Sequence, residues 1–181
     1  MAKHYVQMAG WYKVIMMTKQ TNTIQSPLYH VSYTAIAATI AAIAAATSAA
    51  LQLPIWAMFI GWIAFFTQGL NVRHTITNLI CVWLGITIGM IAGMALNIVG
   101  PILGEGALPF VVFIVAMLVV SLRSVPKINN LLCYFLGLVS FFASHYAPSM
   151  DNFFMLAGAA SIGAFGGLAS IFLQNCILSR A

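Results

Sequence analysis

Residues 53–70 read LPIWAMFIGWIAFFTQGL, an apolar stretch of eighteen residues with no charged side chain. A hydrocarbon core of roughly 30 Å is crossed by about 20 helical residues, so this stretch predicts a membrane-spanning helix. Pro54 stands in its first turn, where the missing N–H group costs nothing. A similar sequence returns in the second half of the chain, and the other segments can be paired around these two.

The composition predicts a protein that is covered mostly by lipid. Of the 181 residues, 62% are hydrophobic and 5% are charged, whereas a soluble domain has roughly 25% charged residues. Seven Lys and Arg against two Asp and Glu give a net charge of +5. Because these few basic residues lie between apolar segments, we interpret the excess as a signal of membrane topology and not of nucleic-acid binding.

Six apolar segments fit the length of a membrane span. The sequence therefore predicts an all-α membrane protein, with a cytoplasmic amino-terminal tail at residues 1–30 and a six-helix transmembrane domain at residues 31–181. Prolines at or near segment ends, such as Pro101 and Pro126, support these divisions. The spans are expected at about residues 31–51, 54–70, 75–99, 107–121, 128–146 and 153–178.

The first segment contains ten alanines. A basic start, an apolar run and Ala-x-Ala sites also describe a signal peptide, although the basic region is longer than usual for one. An alanine-rich helix is a poor lipid-facing helix, so we expect it to be packed among neighbours, where small side chains allow close approach.

The charges predict the orientation of the spans. The connections after the first, third and fifth segments contain no Lys or Arg, and two of them contain the acids Glu105 and Asp151. The positive-inside rule then places both termini in the cytoplasm. All basic residues fall on that side: Lys3, Lys13, Lys19, Arg73, Arg123, Lys127 and Arg180.

The second and fifth segments have related sequences, FIGWIAFFT at 59–67 and FLGLVSFFA at 135–143. With six spans they run in opposite directions, so a true repeat is a three-plus-three inverted repeat. Resemblance through apolar composition alone is the alternative. The identical positions, 76 residues apart, are Phe59 and Phe135, Gly61 and Gly137, Phe65 and Phe141, and Phe66 and Phe142.

Helical spacing divides each of these segments into two faces. The bulky faces, which contain Phe59, Trp62 and Phe66 in one segment and Phe135, Leu138 and Phe142 in the other, are expected to meet lipid or a neighbouring protomer. The small, partly polar faces are expected to turn inward, because polar groups are costly in lipid. They are predicted to line a pathway: Gly61, Ala64, Phe65, Gln68, Gly137, Ser140, Phe141 and Ser144.

The third and sixth segments have glycines at four-residue spacing, which predicts close helix packing. These helix-packing residues are Gly85, Gly89, Gly93, Gly163 and Gly167. Asn78, near the start of the third segment, is expected either to make a helix-end or interhelical hydrogen bond or to line the mouth of a pathway. His145 is expected either to be solvated at the interface or to form a pH-sensitive outer gate, since histidine titrates near physiological pH.

The motifs of common chemistry are missing. The segments have no Asp, Glu, Lys or Arg in their middle, which argues against a pump or a charge-coupled carrier. There is no nucleotide-binding loop, HExxH or catalytic triad, so we expect neither an enzyme nor a cofactor. Cys81, Cys133 and Cys176 form no CxxC and no cluster with histidine, and they are interpreted as packing residues and not as metal ligands.

The run WAMFIGWIAFF at residues 56–66, followed by the glycine-rich third segment, resembles a bacterial inner-membrane family known as domain of unknown function 1097. The resemblance extends over most of residues 31–178 and is clearest at Trp56, Phe59, Gly61 and Phe65; FLGLVSFF resembles the matching second motif. It implies the inner membrane and carries no activity or substrate with it. The chain departs from the family at residues 68–70, where Gln-Gly-Leu replaces a glycine pair.

Two functions are compatible with these patterns. The leading hypothesis is a passive channel or facilitator for a small neutral solute, with Phe65 and Phe141 as an apolar constriction. The alternative is a non-transporting membrane subunit or accessory protein that binds a partner through its aromatic faces. The expected partners are the lipid bilayer and a second copy of the chain in a homo-oligomer, with no nucleic acid.

Overall fold

The computed structural model describes residues 27–178, and every regular element in that range is a helix. We label them α1 Pro27–Ala50, α2 Ile55–Phe66, α3 Val72–Leu103, α4 Ala107–Leu122, α5 Leu131–Ser144 and α6 Met150–Leu178. A short 3-10 helix, Gly104–Gly106, joins α3 to α4. The chain divides into two units, residues 1–34 and residues 35–181. Residues 27–34 of the first unit are helical, and the predicted tail before Pro27 lies outside the described residues.

The prediction of an all-helical, strongly apolar fold is confirmed. Three helical stretches are long and apolar enough to cross a membrane, His30–Ala50, Val72–Leu122 and Met150–Ile177, and the second of them contains both α3 and α4. Helices α2 and α5 are apolar but have 12 and 14 residues, which gives them lengths of about 18 and 21 Å. Both are shorter than the predicted spans at 54–70 and 128–146.

Local hydrogen bonds and backbone angles explain why α2 and α5 end early. The hydroxyl of Thr67 donates to the Ala64 carbonyl at 2.7 Å, and Gly69 then turns the chain with φ +61°. The hydroxyl of Ser144 donates to the Phe141 carbonyl at 2.6 Å, and His145 has the left-handed angles φ 54° and ψ 21°. Residues other than glycine adopt these angles uncommonly, so this stop has no glycine to mark it in the sequence.

The connection between α3 and α4 reverses the chain. Gly104 has φ 53° and ψ −127°, and the helices on either side of the three-residue connection pack against each other, as an antiparallel pair must. Pro101 lies inside α3, not between two segments as predicted, because α3 continues to Leu103. The cost of an internal proline is small here, since only the last turn follows it.

Two helix pairs form the centre of the second unit. The most extensive contacts join α2 to α6 and α3 to α5, and α3 also contacts α6. Helix α4 lies at the edge, where only Ala107, Val111 and Val119 are buried. Of the α1 side chains described from residue 35 onward, only Ala44 and Ser48 are buried, so most of this alanine-rich helix is not packed among neighbours as predicted.

Candidate functional site

The predicted pathway residues lie mainly in the core. On α2, Gly61, Ala64 and Phe65 are buried, whereas Gln68 is exposed beyond the end of the helix. On α5, Gly137, Ser140 and Phe141 are buried and Ser144 is half-buried. The faces that helical spacing predicts to be inward are therefore the faces that the structure buries.

Glycines bring α2 and α6 into backbone contact. A Cβ atom added at Gly61 would overlap the carbonyl oxygen of Ala160, and one added at Gly163 would overlap the carbonyl oxygen of Met58. Any larger residue at either position must therefore push the helices apart.

The contact between α5 and α3 is built in the same way. A Cβ atom added at Gly137 would overlap the carbonyl oxygen of Val82, and one added at Gly85 would overlap the carbonyl oxygen of Tyr134. Gly137 follows Gly61 by 76 residues and Ala160 follows Val82 by 78, and the same two offsets relate Met58 to Tyr134 and Gly85 to Gly163.

The rings of Phe65 and Phe141 lie over the glycines of the facing helices. A Cβ atom at Gly167 would lie 2.7 Å from Cδ1 of Phe65, and one at Gly89 would lie 3.0 Å from Cβ of Phe141. Gly93 extends the second contact, with 3.1 Å to Cε1 of Phe141. The two rings therefore fill the space that a pathway along these faces would use, and they do so at positions 76 residues apart.

The burial patterns of the two helix pairs correspond residue by residue. All five buried residues of α2 are followed 76 positions later by a buried residue of α5, namely Ala57 and Cys133, Met58 and Tyr134, Gly61 and Gly137, Ala64 and Ser140, and Phe65 and Phe141. An offset of 78 relates α3 to α6 for all buried residues of α3 except Thr75. These pairs are Asn78 and Leu156, Leu79 and Ala157, Cys81 and Ala159, Val82 and Ala160, Gly85 and Gly163, Ile86 and Ala164, Gly89 and Gly167, and Ala92 and Ser170.

A buried polar network ties α2, α3 and α5 together at one end of the unit. The side-chain amide of Asn78 donates to the carbonyls of Ala64 at 2.9 Å and Gln68 at 3.2 Å. The amide of Asn130 donates to Asn78 Oδ1 at 2.7 Å and to the Thr67 hydroxyl at 2.6 Å. The Asn130 Oδ1 accepts from the backbone N–H of Cys133 at 3.3 Å and so caps α5. Because these groups satisfy one another, the network can be buried at little cost.

The sequence predicts only part of this network. Of the two roles that its position allows, Asn78 makes the interhelical hydrogen bond. Asn130 and Thr67 are functional residues that the sequence reasoning misses, although an asparagine directly before an apolar helix is a recognised capping signal. At the other end of the molecule, the residues corresponding to Asn78 and Asn130 are Leu156 and Pro54, so the polar network breaks the correspondence between the halves.

An open polar cavity of about 400 Å³ adjoins the network. The α2–α3 connection and the start of α3 meet the α4–α5 connection there, so both connections lie at the same end of the unit. The cavity is lined by Gln68, Arg73, His74, Thr77, Lys127 and Asn129. Two of these, Arg73 and Lys127, are cations whose positions in the sequence indicate topology but give no sign of a shared cavity.

The bulky faces are less uniform than predicted. Phe59 and Phe66 of α2, and Phe135 and Phe142 of α5, are exposed, but Leu138 is buried. Trp62 is half-buried, with its ring 3.1 Å from a Cβ built at Gly166. An apolar groove of about 200 Å³ lies beside the α5 face, between α3, α4 and α5, and Phe135 and Phe142 line it.

His145 is exposed and serves as the carboxyl-terminal cap of α5. Its backbone N–H donates to the Phe142 carbonyl at 3.4 Å, and the N–H of Tyr146 donates to the Ser144 hydroxyl at 3.1 Å. The observed role of His145 is thus to turn the chain, and its role as an outer gate stays a prediction. Among residues 27–178, no three His, Cys, Asp or Glu side chains lie together as a metal site.

The described residues form an all-helical unit whose apolar helices and glycine-mediated contacts are compatible with a membrane protein. The chain belongs to the family described as protein of unknown function DUF1097, whose model matches residues 34–175. No curated protein and no solved structure matches the chain.

Proposed function

We propose that this chain is a multi-pass protein of the bacterial inner membrane, built from two inverted triplets, α1–α3 and α4–α6, with both termini in the cytoplasm. The residue-by-residue correspondence of burial between α2 and α5, and between α3 and α6, supports the repeat. The basic connections at one end of the unit support the orientation. In this topology each triplet crosses the membrane three times, and the short α2 and α5 cross it at its middle.

Within that topology, the function that we propose is a passive facilitator for a small neutral solute. The observation that carries it is the equivalent packing of Phe65 and Phe141 on the glycines of α6 and α3. Inverted repeats in transporters place the pathway at the interface between the repeats. Here that interface is lined by small residues and closed by one ring from each half, so the described conformation is the closed one.

Opening requires little more than movement of the two rings. Helices in contact through glycine have no interlocking side chains to hold them, so a small separation of α2 from α6, and of α5 from α3, would free both phenylalanines. An apolar constriction of this kind gates by excluding water. The buried hydroxyl of Ser140, which has no hydrogen-bond partner in the closed conformation, adjoins Phe141 in sequence and offers a polar contact to a passing solute.

The test is solute flux in proteoliposomes, with water, urea and glycerol as the probes. Phe65→Ala with Phe141→Ala should raise the flux of at least one probe above that of the wild type, because both rings are removed from the closed interface. Phe154→Ala, at a residue that is 63% exposed, is the matched control and should leave flux unchanged. A double variant that is folded but no more permeable than the wild type would reject the constriction.

A second candidate, a non-transporting subunit that binds a membrane partner, is favoured by the apolar groove beside Phe135 and Phe142. Lipid chains would fill the same groove, so a partner must be shown directly. Co-purification of one foreign protein in a fixed ratio, lost in Phe135→Ala with Phe142→Ala and retained in Phe154→Ala, would support this role. Flux of any probe through the purified protein alone would argue against it.

A further inference from the structure

We propose that the cavity between the α2–α3 and α4–α5 connections is a binding site for a phosphate group. This site is separate from the facilitator pathway, and it does not depend on whether any solute passes between the two halves. The ligand chemistry is that of a phosphate monoester or diester, which a soluble metabolite or a phospholipid headgroup can supply.

The charges of the cavity indicate an anionic ligand. Arg73 and Lys127 both line it, and the acids of the chain, Glu105 and Asp151, lie in the α3–α4 connection and the first turn of α6. Since α3 runs the length of the unit from Val72 to Leu103, Glu105 is a full helix length away, about 48 Å. Two cations therefore share one cavity without a carboxylate from the described chain to neutralise them, an arrangement that is costly unless an anion is bound.

The donor set indicates phosphate among the anions. Arginine presents a planar fork of N–H groups that matches phosphate oxygens, and lysine adds a compact charge. Gln68, Thr77 and Asn129 add neutral donors around them. The cavity also lies at the amino-terminal end of the 32-residue helix α3, where the helix dipole favours negative charge.

The buried network holds the walls of this cavity in place. Three of the lining residues, Gln68, Thr77 and Asn129, are each next in sequence to a member of the network: Thr67, Asn78 and Asn130. Because those members are joined by hydrogen bonds, the three elements that carry the donors have a fixed relation before a ligand arrives. The ring of His74 is also positioned, since it lies directly against Gly69 at its positive φ.

The experiment compares charge-removing variants inside and outside the cavity. Purified protein in a nonionic detergent is titrated with orthophosphate by calorimetry, and its retention of phosphatidylglycerol against phosphatidylethanolamine is measured by native mass spectrometry. Lys127→Gln and Arg73→Gln should each weaken binding at least tenfold. Arg123→Gln, which removes a charge four residues before Lys127 but outside the cavity, should change it less than twofold.

The two arms distinguish the sources of the phosphate. Saturable binding of orthophosphate that depends on Lys127 supports a soluble ligand, and selective retention of phosphatidylglycerol that depends on Lys127 supports a headgroup. If neither ligand binds saturably, or if Arg123→Gln weakens binding as much as Lys127→Gln, the site is refuted. Lys127 and Arg73 are both exposed, so we expect their variants to fold, and an unchanged melting temperature verifies it.

Discussion

At the scale of single residues, the chain concentrates its buried hydrogen bonds in a few asparagine and threonine side chains. Asn78 is 1% exposed and Asn130 is 7% exposed. Each makes two donor bonds, and together they connect the end of α2, the start of α3 and the cap of α5. A polar group in such a place is costly when it is left unpaired, so the two residues should depend on each other.

We therefore predict strong coupling in a double-mutant cycle of Asn78→Ala and Asn130→Ala. Each single change should lower the free energy of unfolding by about 1–3 kcal/mol, because it leaves buried partners unsatisfied. The double variant should lose less than the sum, with a coupling of about 0.5–3 kcal/mol. Unfolding by denaturant in detergent micelles measures all four proteins.

Asn97→Ala serves as the control, since Asn97 is exposed on the same helix, and it should change stability by less than about 0.5 kcal/mol. Additive losses from Asn78→Ala and Asn130→Ala would mean that the network does not act as a unit.

At the scale of helices, backbone contact through glycine determines which faces meet. Four glycines, Gly61 and Gly163 in one pair and Gly137 and Gly85 in the other, leave no room for a Cβ atom. Such contacts are typical of helix packing in membranes, where van der Waals contact replaces the hydrophobic driving force.

We predict that Gly61→Ala and Gly137→Ala destabilise the protein by similar amounts, on the order of 1–3 kcal/mol, because each forces a helix away from a facing carbonyl. Gly100→Ala should be neutral or stabilising by up to about 1 kcal/mol, since Gly100 has open space around it and alanine is the better helix former. Melting temperatures in one detergent give the comparison. Loss of stability in only one of the first two variants would argue that the helix pairs are not equivalent.

The faces of the helices are predictable from the sequence and their lengths are not. Identical residues 76 positions apart relate α2 to α5, and helical spacing identifies Phe65 and Phe141 as inward-facing. The end of α5 escapes prediction because His145 takes a conformation that is usually reserved for glycine. The exposure of α1 escapes it because alanine content indicates a capacity for close packing and does not name the neighbour.

At the scale of the whole molecule, the site is harder to predict than the fold. Arg73 and Lys127 are 54 positions apart, and their common cavity depends on two connections meeting in space. Spacing along the chain carries no signal of such a meeting. The charge pattern does predict that both connections lie on one side, because alternation of helices places every second connection at the same end.

The inverted relation of the two triplets requires the short helix α2 to cross the membrane. If α2 did not cross, each triplet would have an even number of spans and the halves would have the same orientation. Leu51 and Leu70 flank α2 and are 60% and 50% exposed, so either can be replaced by cysteine with little effect on packing. The exposed Cys176 is replaced by serine, while Cys81 and Cys133 are buried and can remain.

The most direct measurement is labelling of Leu51→Cys and Leu70→Cys with a membrane-impermeant maleimide, in intact cells and in inverted membrane vesicles. With inverted triplets, Leu51→Cys should react in intact cells and Leu70→Cys in inverted vesicles, and both should react after solubilisation in detergent. Reaction of both cysteines from the same side of the membrane would contradict the inverted arrangement.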